Sequence, residues 1–404
     1  MRATQALAIA MVLVAIATFF TGYYTAPTKI ITITQTVAYT VTTTFTQAIT
    51  PTITPSTTTI TQTVVKEVSK HEVKYPITIV DSAGRTVTIE KEPQRVVILS
   101  TCLYPALAFG IGNKIVGVGE WVYKDPIYMN ILQKQGAKNV TNLGPWVPSA
   151  EAILTTNPDL VILYATFYRS KMDEIASRLP PNVKVVYLDC YLQTTLFDEM
   201  YKLGLIFNKV DRALELISKW SSRAMLIAAR AAEIKQSNKV KVYYEWPTKF
   251  QTAGIGSSAH QLIILAGGIN TFGDVETPYP TVSSEAVIER NPDVIIKDLM
   301  TYFNPCTFNS TKPLEDTYND IISRPGWDKI SAVKNNRVYI FARPYLYGGG
   351  YIAQLATIAK LLYPHVFKDI DPQQWIYDWL RDMGLENPEQ ICKLPWVYPS
   401  IPSK

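Results

Sequence analysis

Residues 149–163 read SAEAILTTNPDLVIL, and residues 283–297 read SSEAVIERNPDVIIK. The two copies begin 134 residues apart. This spacing is far longer than the roughly 20–50 residues that separate solenoid repeats. The copies therefore indicate one supersecondary unit that is used once in each of two similar lobes.

Each copy predicts a short helix followed by a buried strand. Ser149 and Ser283 are suited to cap a helix, and the glutamate two residues later lies in the first turn, where the helix dipole favours an anion. The Asn-Pro pair ends the helix, because proline cannot continue it and disfavours helical geometry in the residue before it. The apolar run that follows is typical of a parallel strand buried on both faces. We therefore predict an α/β fold with two doubly wound lobes and a ligand cleft between them.

One long amphipathic stretch separates the two copies. Across residues 209–236, apolar side chains such as Val210, Ile217 and Ala224 recur with the 3.6-residue period of a helix. A helix of about 28 residues would be roughly 42 Å long. We expect it to join the lobes as a stiff spine.

These patterns divide the chain into six parts. We assign residues 1–25 to a signal peptide or membrane anchor, 26–75 to a low-complexity stalk rich in threonine, and 76–208 to the N-terminal lobe. Residues 209–238 form the interlobe helix, 239–369 the C-terminal lobe, and 370–404 a C-terminal helical extension.

The N-terminus predicts export. Residues 6–24 are almost uninterrupted apolar sequence preceded by Arg2, long enough to cross a bilayer and oriented with the bulk of the protein outside the cytoplasm. The segment fits an uncleaved anchor or a removed signal peptide. The Thr-rich region after it is typical of an O-glycosylated tether. We expect an extracytoplasmic protein at the cell surface, tethered by this hydrophobic segment.

Composition argues against several functions. The net charge is +5 and no concentrated Lys/Arg face is evident, so nucleic-acid binding is not expected. Three histidines cannot assemble a His/Cys metal cluster, and we predict no metal site and no cofactor. Ser257, Ser258 and His260 suggest a hydrolase, but the sequence has no Gly-x-Ser-x-Gly motif, and we predict no catalytic residue.

The cysteines and the N-glycosylation sequons are relevant because the chain is predicted to be exported. The four cysteines allow two disulfides in three connectivities, with Cys306–Cys392 the preferred pair, although free buried thiols fit equally well. Sequons at Asn139 and Asn309 mark candidate glycan sites. The cysteines are Cys102, Cys190, Cys306 and Cys392.

In its order of motifs, the chain resembles the extracytoplasmic solute-binding proteins of iron-siderophore and cobalamin ABC importers, the class with a rigid helical linker between lobes. The resemblance covers about residues 76–368. It rests on ITIVDSAGRTVTI and PQRVVILS in residues 77–100, on IVGVG at 115–119 and on both S-x-E-A copies. It continues with AGGIN at 266–270 and IAKLLYP at 358–364.

This resemblance implies a binding protein, not an enzyme. It implies that a metal chelate (an iron-siderophore, haem or cobalamin) is captured and delivered to an ABC permease and its ATPase. In the family, one glutamate on each lobe docks into the permease, and the matching residues here are Glu151 and Glu285. We expect a monomer that closes little when the chelate binds.

Ligand residues are expected in loops at the carboxyl ends of the strands, where open α/β sheets bind ligands. These loops are rich in aromatic residues, which offer a bulky chelate a large contact area and, in Tyr and Trp, a polar group. Phe167 also lies in one of them, and Arg169 and Arg343 could balance an anionic ligand. The predicted ligand-binding residues are Thr101, Tyr104, Trp121, Trp146, Tyr164, Tyr168, Trp246, Phe250, Tyr279, Arg343, Tyr345 and Tyr347.

Three alternatives stay open. The same scaffold could bind molybdate or tungstate, since some relatives do. An exported enzyme on a two-lobed scaffold and a surface-layer or adhesion module are weaker alternatives.

Overall fold

The structure, a computed structural model, describes residues 71–299, 303–342 and 346–400. The predicted membrane segment, residues 26–70 of the stalk, and the ligand candidates Arg343 and Tyr345 lie outside the described residues. Among the residues that are described, no helix is both long enough and apolar enough to span a bilayer.

The N-terminal lobe is built on a five-stranded sheet in which all strands run parallel. A small antiparallel hairpin of β1 (Ile77–Val80) and β2 (Thr86–Ile89) precedes it. The sheet strands are β3 (Val96–Ile98), β4 (Ile115–Val118), β5 (Thr141–Asn142), β6 (Leu160–Leu163) and β7 (Lys184–Tyr187). Their order is β5–β4–β3–β6–β7. The central strands β3 and β6 are apolar and fully buried, as expected for strands covered on both faces.

Helices alternate with these strands. They are α1 (Leu103–Ala108), α2 (Glu120–Tyr123), α3 (Pro126–Lys134), α4 (Ala150–Leu154), α5 (Arg169–Arg178) and α6 (Leu196–Ile206). The alternation confirms the predicted α/β lobe. The end of the predicted stalk, residues 71–75, lies against this lobe, where the Tyr75 hydroxyl donates a 2.8 Å hydrogen bond to the carbonyl of Ile206.

The C-terminal lobe repeats the scheme with a second five-stranded sheet. Its strands are β8 (Lys241–Glu245), β9 (Ile269–Asn270), β10 (Val294–Asp298), β11 (Val338–Phe341) and β12 (Val397–Tyr398). The order is β12–β11–β10–β8–β9, and only β12 runs antiparallel to its neighbour. The helices are α8 (Ser258–Leu265), α9 (Ser284–Arg290), α10 (Lys312–Ile322), α11 (Ser331–Lys334) and α12 (Gly350–Leu362).

The two sequence copies fold as predicted. The Ser149 hydroxyl accepts a hydrogen bond from the N–H of Ala152, and the Ser283 hydroxyl accepts one from Ala286, both at 3.1 Å. Each helix is followed by an asparagine in the left-handed region, Asn157 with a φ of 48° and Asn291 with a φ of 43°. Asparagine tolerates this conformation better than most residues, and the proline after it prevents further helix.

The long helix α7 (Val210–Ala232) connects the lobes in sequence. Its 23 residues correspond to roughly 34 Å, shorter than the predicted 42 Å. The predicted helix extended too far, because the polar run after it forms a separate 3-10 turn at Gln236–Asn238. The buried face of the helix, which includes Leu216, Trp220 and Ile227, follows the predicted period.

The C-terminal extension contacts the long helix and both lobes. It contains α13 (Pro372–Asp382) and α14 (Pro388–Ile391). The ring of Trp379 packs edge-on against Trp220, and the Asp382 carboxylate accepts a 2.7 Å bond from the Lys219 ammonium. At its far end β12 pairs with β11 in the C-terminal lobe, whereas Gln135 of the N-terminal lobe donates to the Met383 carbonyl. These contacts oppose a change in the angle between the lobes.

Both disulfides are formed. The preferred pair, Cys306–Cys392, is confirmed and joins the loop after β10 to the extension. The second disulfide, Cys102–Cys190, joins the loops after β3 and β7.

Candidate functional site

Each sheet reverses its strand order at one point, and the loops there lie together. In the first sheet the chain proceeds outward from β3 and then returns to β6 on its other side, and the second sheet does the same at β8 and β10. Open α/β sheets bind ligands outside the carboxyl ends of the strands at such points. The loops after β3, β6 and β8 therefore mark the candidate site.

A cavity of about 430 Å³ lies between the lobes at these loops. Its volume is within the usual range for small-molecule sites. Both lobes and the start of α12 contribute side chains, most of them aromatic or hydroxylated. The lining residues are Thr101, Trp146, Tyr164, Phe167, Tyr168, Tyr191, Trp246, Pro247, Thr248, Gln251, Ser258, Tyr279, Tyr347 and Tyr351.

The N-terminal wall is held by the buried carboxylate of Asp189. This carboxylate accepts hydrogen bonds from the Ala165 N–H at 2.8 Å and from the Thr166 hydroxyl at 2.9 Å. Since the Thr166 proton is used there, the Tyr191 hydroxyl donates to Thr166 at 2.5 Å. The Thr101 hydroxyl donates to the Asp189 carbonyl. Burial raises the pKa of the Asp189 carboxyl, and the bonds from Thr166 and Ala165 act in the opposite direction.

A second buried carboxyl, Glu199 on α6, supports the same loop from behind. It accepts hydrogen bonds from the N–H groups of Asp189 at 3.1 Å and Cys190 at 2.5 Å, and from the Ser82 hydroxyl at 2.5 Å. Burial, reinforced by the nearby Asp189 carboxylate, raises the pKa of Glu199 to about 7. The loop that carries Tyr191 is thus fixed by a carboxyl with no water contact.

The C-terminal wall is held by a buried cation. The Lys297 ammonium donates to the carbonyls of Trp246 at 2.5 Å and Pro247 at 2.9 Å. Its third partner is the Glu245 carboxylate at 2.9 Å, which also receives two hydrogen bonds from Arg324 at 2.7 and 2.8 Å. Burial opposes ionisation of Glu245, but these two cations outweigh it and lower the pKa of the carboxyl. The backbone under Trp246 is therefore anchored by three charged groups.

The floor of the cavity connects the lobes. Tyr347 of the C-terminal lobe contacts Tyr104 of the N-terminal lobe, with ring centroids 5.0 Å apart. The Tyr351 hydroxyl donates to Ser258 at 3.3 Å. The carbonyl of Cys190 accepts a bond from the Gly348 N–H, so the floor also touches the loop of Tyr191.

Aromatic rings form the rim of the cavity. Trp146 and Tyr168 remain 37% and 48% exposed. Trp146 stacks on Trp121 at a centroid distance of 5.6 Å, and Trp121 in turn stacks on Tyr104 at 6.1 Å. Trp121 and Tyr104, which we predicted as ligand contacts, thus form a layer behind the lining.

The structure does not place Phe250 in the cavity. This residue has a φ of 64°, and its ring contacts Trp327 and the guanidinium of Arg324 in the C-terminal lobe. The prediction of a ligand contact at Phe250 does not agree with this geometry. Thr101, Trp146, Tyr164, Tyr168, Trp246, Tyr279 and Tyr347 do lie in the lining as predicted.

Sequence reasoning missed several lining residues. Tyr191 could have been found, because it follows β7 at the same sheet edge as the other loops. Tyr351 and Ser258 lie inside helices whose sequences carry no signal for a cavity. The residues missed are Tyr191, Pro247, Thr248, Gln251, Ser258 and Tyr351, together with Phe167, which was noted but not selected.

Glu151 and Glu285, the predicted docking residues, occupy equivalent positions in the two sequence copies. Both side chains are exposed in the first turn of their helices, α4 and α9. Glu151 follows the lining residue Trp146 by five residues, and Glu285 follows Tyr279 by six. Hydrogen bonds from its own backbone N–H and from Ser149 lower the pKa of Glu151. Each lobe therefore carries one exposed glutamate at the start of a helix.

The geometry offers no catalytic pair at Ser257 and His260. The Ser257 hydroxyl caps α8 and donates to the Gly254 carbonyl, whereas the imidazole of His260 is hydrogen-bonded to Asn270 at 3.0 Å. Among the described residues, no three His, Cys, Asp or Glu side chains group in a way that could hold a metal ion. The arrangement is suited to binding.

Comparison with known proteins gives a consistent result. A family model described as periplasmic binding protein matches residues 100–344. The uncharacterized ABC transporter substrate-binding lipoprotein YvrC of Bacillus subtilis is 25% identical, covering 73% of this chain and 88% of the relative. The molybdate-binding protein MolA of Haemophilus influenzae is 26% identical, covering 75% and 89%. The high-affinity heme uptake system protein IsdE of Staphylococcus aureus is 28% identical, covering 50% and 66%.

Solved structures share the fold. Helicobacter pylori CeuE in complex with nickel and histidine superposes with a TM-score of 0.62 at 17% identity, covering 78% of this chain and 97% of that one. Haemophilus influenzae MolA bound to molybdate has a TM-score of 0.60 at 21% identity, covering 79% and 99%.

Proposed function

The chain belongs to the periplasmic binding protein family, and we propose that it is the ligand-binding component of an ABC importer whose cargo is a metal chelate. The observation that carries the proposal is the aromatic, hydroxyl-rich cavity between the lobes. Family members bind solutes, and we propose that this chain likewise performs no covalent chemistry.

The lining supports a bulky, partly polar cargo. Ring faces such as those of Trp246 and Tyr279, whose centroids are 5.4 Å apart, provide large contact area at low conformational cost. The Ser258 hydroxyl accepts a bond from Tyr351, so its own proton can be donated to an oxygen atom of a chelating ligand. A chelated metal arrives with its own ligands, so the protein needs to supply none.

Delivery would use the two acidic helix starts. A permease surface that contacts both Glu151 and Glu285 would cover the mouth of the cleft, because each glutamate follows a cavity-lining segment closely in sequence. The extension that links α7 to both lobes opposes closure, so we propose that the permease releases the cargo by prying the lobes apart.

Export and tethering complete the proposal. Residues 1–25 would act as an anchor or signal, and the Thr-rich segment would hold the lobes away from the membrane as a monomeric binding protein. The predicted domain boundaries and the remaining ligand candidates, Arg343 and Tyr345, belong to the same proposal.

Molybdate or tungstate is the second candidate, favoured by the 26% identity to MolA over most of both chains. A tetrahedral oxyanion needs a compact ring of donors. The wide cavity with scattered hydroxyl groups fits a larger cargo better, which is why we rank the oxyanion second.

Calorimetric titration with ferric siderophores, haem, corrinoids and molybdate tests the proposal. We expect one chelate to bind at micromolar affinity or better, and we expect W246A to weaken it at least tenfold. W375A is the matched control, because Trp375 packs on the long helix outside the cavity. Binding that resists W246A, or turnover of a substrate in place of binding, would contradict the proposal.

Docking is tested separately by charge reversal. E151K combined with E285K should abolish uptake by cells that contain the cognate permease and ATPase, while chelate affinity stays unchanged. The control pair is E90K with E233K, since Glu90 lies at the amino ends of the strands of the first sheet, beside Pro93 and Asp159, and Glu233 is exposed at the end of α7. Lost affinity in the first pair, or equal loss of uptake in both, would refute the docking role.

A further inference from the structure

A disulfide lies directly behind the N-terminal wall of the cavity. Cys102 follows the lining residue Thr101, and Cys190 precedes the lining residue Tyr191, so each end of the bridge is next to a residue of the lining. Both cysteines are fully buried. The bridge therefore joins two segments of the wall by a covalent bond.

This bridge spans the end of a strand that lies between its two halves. In the sheet β6 separates β3 from β7, and Cys102 and Cys190 lie in the loops after β3 and β7. The loop after β6 carries three lining residues, and the Asp189 carboxylate binds that loop through the Ala165 N–H at 2.8 Å. The Thr101 hydroxyl donates to the Asp189 carbonyl. All three loops of the wall are thus connected, with the disulfide as a covalent link between them.

The backbone at Cys190 has a conformation that cysteine does not favour. Its φ is 56°, in the left-handed region. Among the nine non-glycine residues with a positive φ in the described part of the chain, six are asparagine. Asparagine tolerates this region through local hydrogen bonds that cysteine cannot make. Such conformations persist only where the surrounding structure holds them, and they cluster at functional sites.

Several groups hold this conformation at Cys190. The Glu199 carboxyl accepts a hydrogen bond from its N–H at 2.5 Å, and its carbonyl accepts a 3.4 Å bond from the Gly348 N–H at the cavity floor. The side chain is bonded to Cys102. Because Tyr191 is the next residue, the position of its ring depends on these constraints.

Tyr191 connects this wall to the opposite one. Its hydroxyl is hydrogen-bonded to Thr166 at 2.5 Å and interacts with the hydroxyl of Tyr279, which lines the cavity from the C-terminal lobe. A cargo that fills the cavity therefore meets both rings. A shift of the backbone at Cys190 would move the Tyr191 ring relative to the opposite wall and change the width of the cavity there.

The other disulfide provides an internal comparison. Cys306–Cys392 has a sequence separation of 86, against 88 for Cys102–Cys190. In the chain-entropy model the stabilisation from a disulfide depends on the length of the loop that it closes, so the two bridges should stabilise the fold about equally. The described lining includes neither Cys306 nor Cys392, nor a residue next to either of them in the chain. A difference between the bridges in their effect on cargo affinity would therefore reflect their positions.

From this arrangement we propose that the Cys102–Cys190 disulfide is a positioning element of the cargo site, which sets the affinity for cargo by holding Thr101 and Tyr191 in place. The inference rests on the proposed function and deepens it. Cys306–Cys392, by contrast, stabilises the fold without setting the affinity.

Removal of each bridge in turn tests the inference. The full chain, purified in detergent, and the variants C102A/C190A and C306A/C392A would be titrated calorimetrically with ferrioxamine B, haem, cyanocobalamin and molybdate, and unfolded in urea. We expect the urea midpoints of the two variants to fall by similar amounts. For the probe that wild type binds most tightly, C102A/C190A should bind at least tenfold more weakly, whereas C306A/C392A should stay within threefold of wild type.

A double-mutant cycle distinguishes positioning from a general loss of order, because residues that act through one another are not additive. Y191A alone should weaken binding of the same probe at least tenfold. In the C102A/C190A background it should weaken binding by less than a further threefold, since the ring is already out of position. In the C306A/C392A background it should cost as much as in wild type.

A second variant covers the case in which C102A/C190A does not fold. C102A/C190G also lacks the bridge, and glycine adopts a positive φ without a steric cost, so the backbone at this position is no longer strained. The same loss of affinity, at least tenfold, is expected for it.

The outcomes separate this inference from the proposed function. Equal changes of affinity on removal of either bridge, or an effect of Y191A that is the same in both backgrounds, would overturn the inference while the importer function stands. Affinity within threefold of wild type in C102A/C190G would overturn it as well. If no probe binds to wild type, the proposed function fails, and the inference fails with it.

Discussion

Ionisation of the buried Glu199 carboxyl should lower the free energy of unfolding as the pH rises from 4.5 to about 7. Replacing Glu199 by glutamine should remove most of this pH dependence. The side chain is fully buried behind the cavity loop and accepts hydrogen bonds from Ser82, Asp189 and Cys190. Burial, with the neighbouring Asp189 carboxylate, raises its pKa from 4.5 to about 7.

The sign and size follow from proton linkage. Between these two pH values the folded state keeps the Glu199 proton and the unfolded chain has lost it. Because the unfolded state binds fewer protons there, the free energy of unfolding falls as the pH rises. A gap of roughly 2.5 pH units at ~1.36 kcal/mol each gives ~3 kcal/mol. The contribution is fully present below about pH 4.5 and is lost above about pH 7.

Urea unfolding of wild type and E199Q at pH 4.5 and pH 8 measures this effect. The stability of E199Q relative to wild type should rise by ~3 kcal/mol from the lower to the higher pH. D198N is the control, because Asp198 is an exposed carboxylate on the same helix and is paired with Lys202. The stability of D198N relative to wild type should differ between the two pH values by less than ~0.5 kcal/mol. Parallel stability profiles for wild type and E199Q would refute the reasoning.

Three further changes test the packing that supports the cavity. R324M should destabilise the protein by ~3–5 kcal/mol in urea unfolding at pH 7, since it removes the bidentate partner of the buried Glu245 carboxylate. Serine at both Cys306 and Cys392 should cost ~2–4 kcal/mol, because this disulfide closes a loop with a sequence separation of 86. S283A should cost ~1 kcal/mol through loss of the helix cap, measured by the same unfolding assay.

Each of these changes has a control. K249M removes an exposed cation that lies 3.6 Å from Asp320 and should have an effect below ~1 kcal/mol. Reduction of the wild-type protein breaks both disulfides and should therefore cost more stability than the Cys306 and Cys392 variant loses. S237A, at an exposed serine outside any helix cap, controls for S283A. If R324M destabilises the protein no more than K249M does, the buried network of Arg324, Glu245 and Lys297 does not stabilise the fold as we propose.

Local signals made most of the fold predictable. The capping serines, the Asn-Pro helix stops and the buried strands depend on neighbours in sequence, and the structure confirms them at Ser149, Ser283 and the strands that follow. The end of the long helix was predicted too far along the chain, because the apolar period continues to Ile234 although the helix ends at Ala232.

The site was only partly predictable, because ring orientation depends on tertiary contacts. The aromatic loops were located correctly, but the ring of Phe250 contacts Trp327, which no sequence pattern shows. Tyr351 reaches the cavity from α12, a helix that is apolar on nearly all sides and so gives no indication of which residue faces a ligand. The buried pairing of Lys297 and Glu245 likewise joins residues from different strands.

The central claim is that cargo binds between the two lobes against the aromatic lining. Crystals grown with the chelate that binds most tightly in the titrations, measured at the absorption edge of its metal, locate that metal by anomalous scattering. We predict one strong peak inside the cavity, between Tyr191 of the N-terminal lobe and Trp246 of the C-terminal lobe. A peak on the outer surface of either lobe, with the cavity empty, would contradict the account.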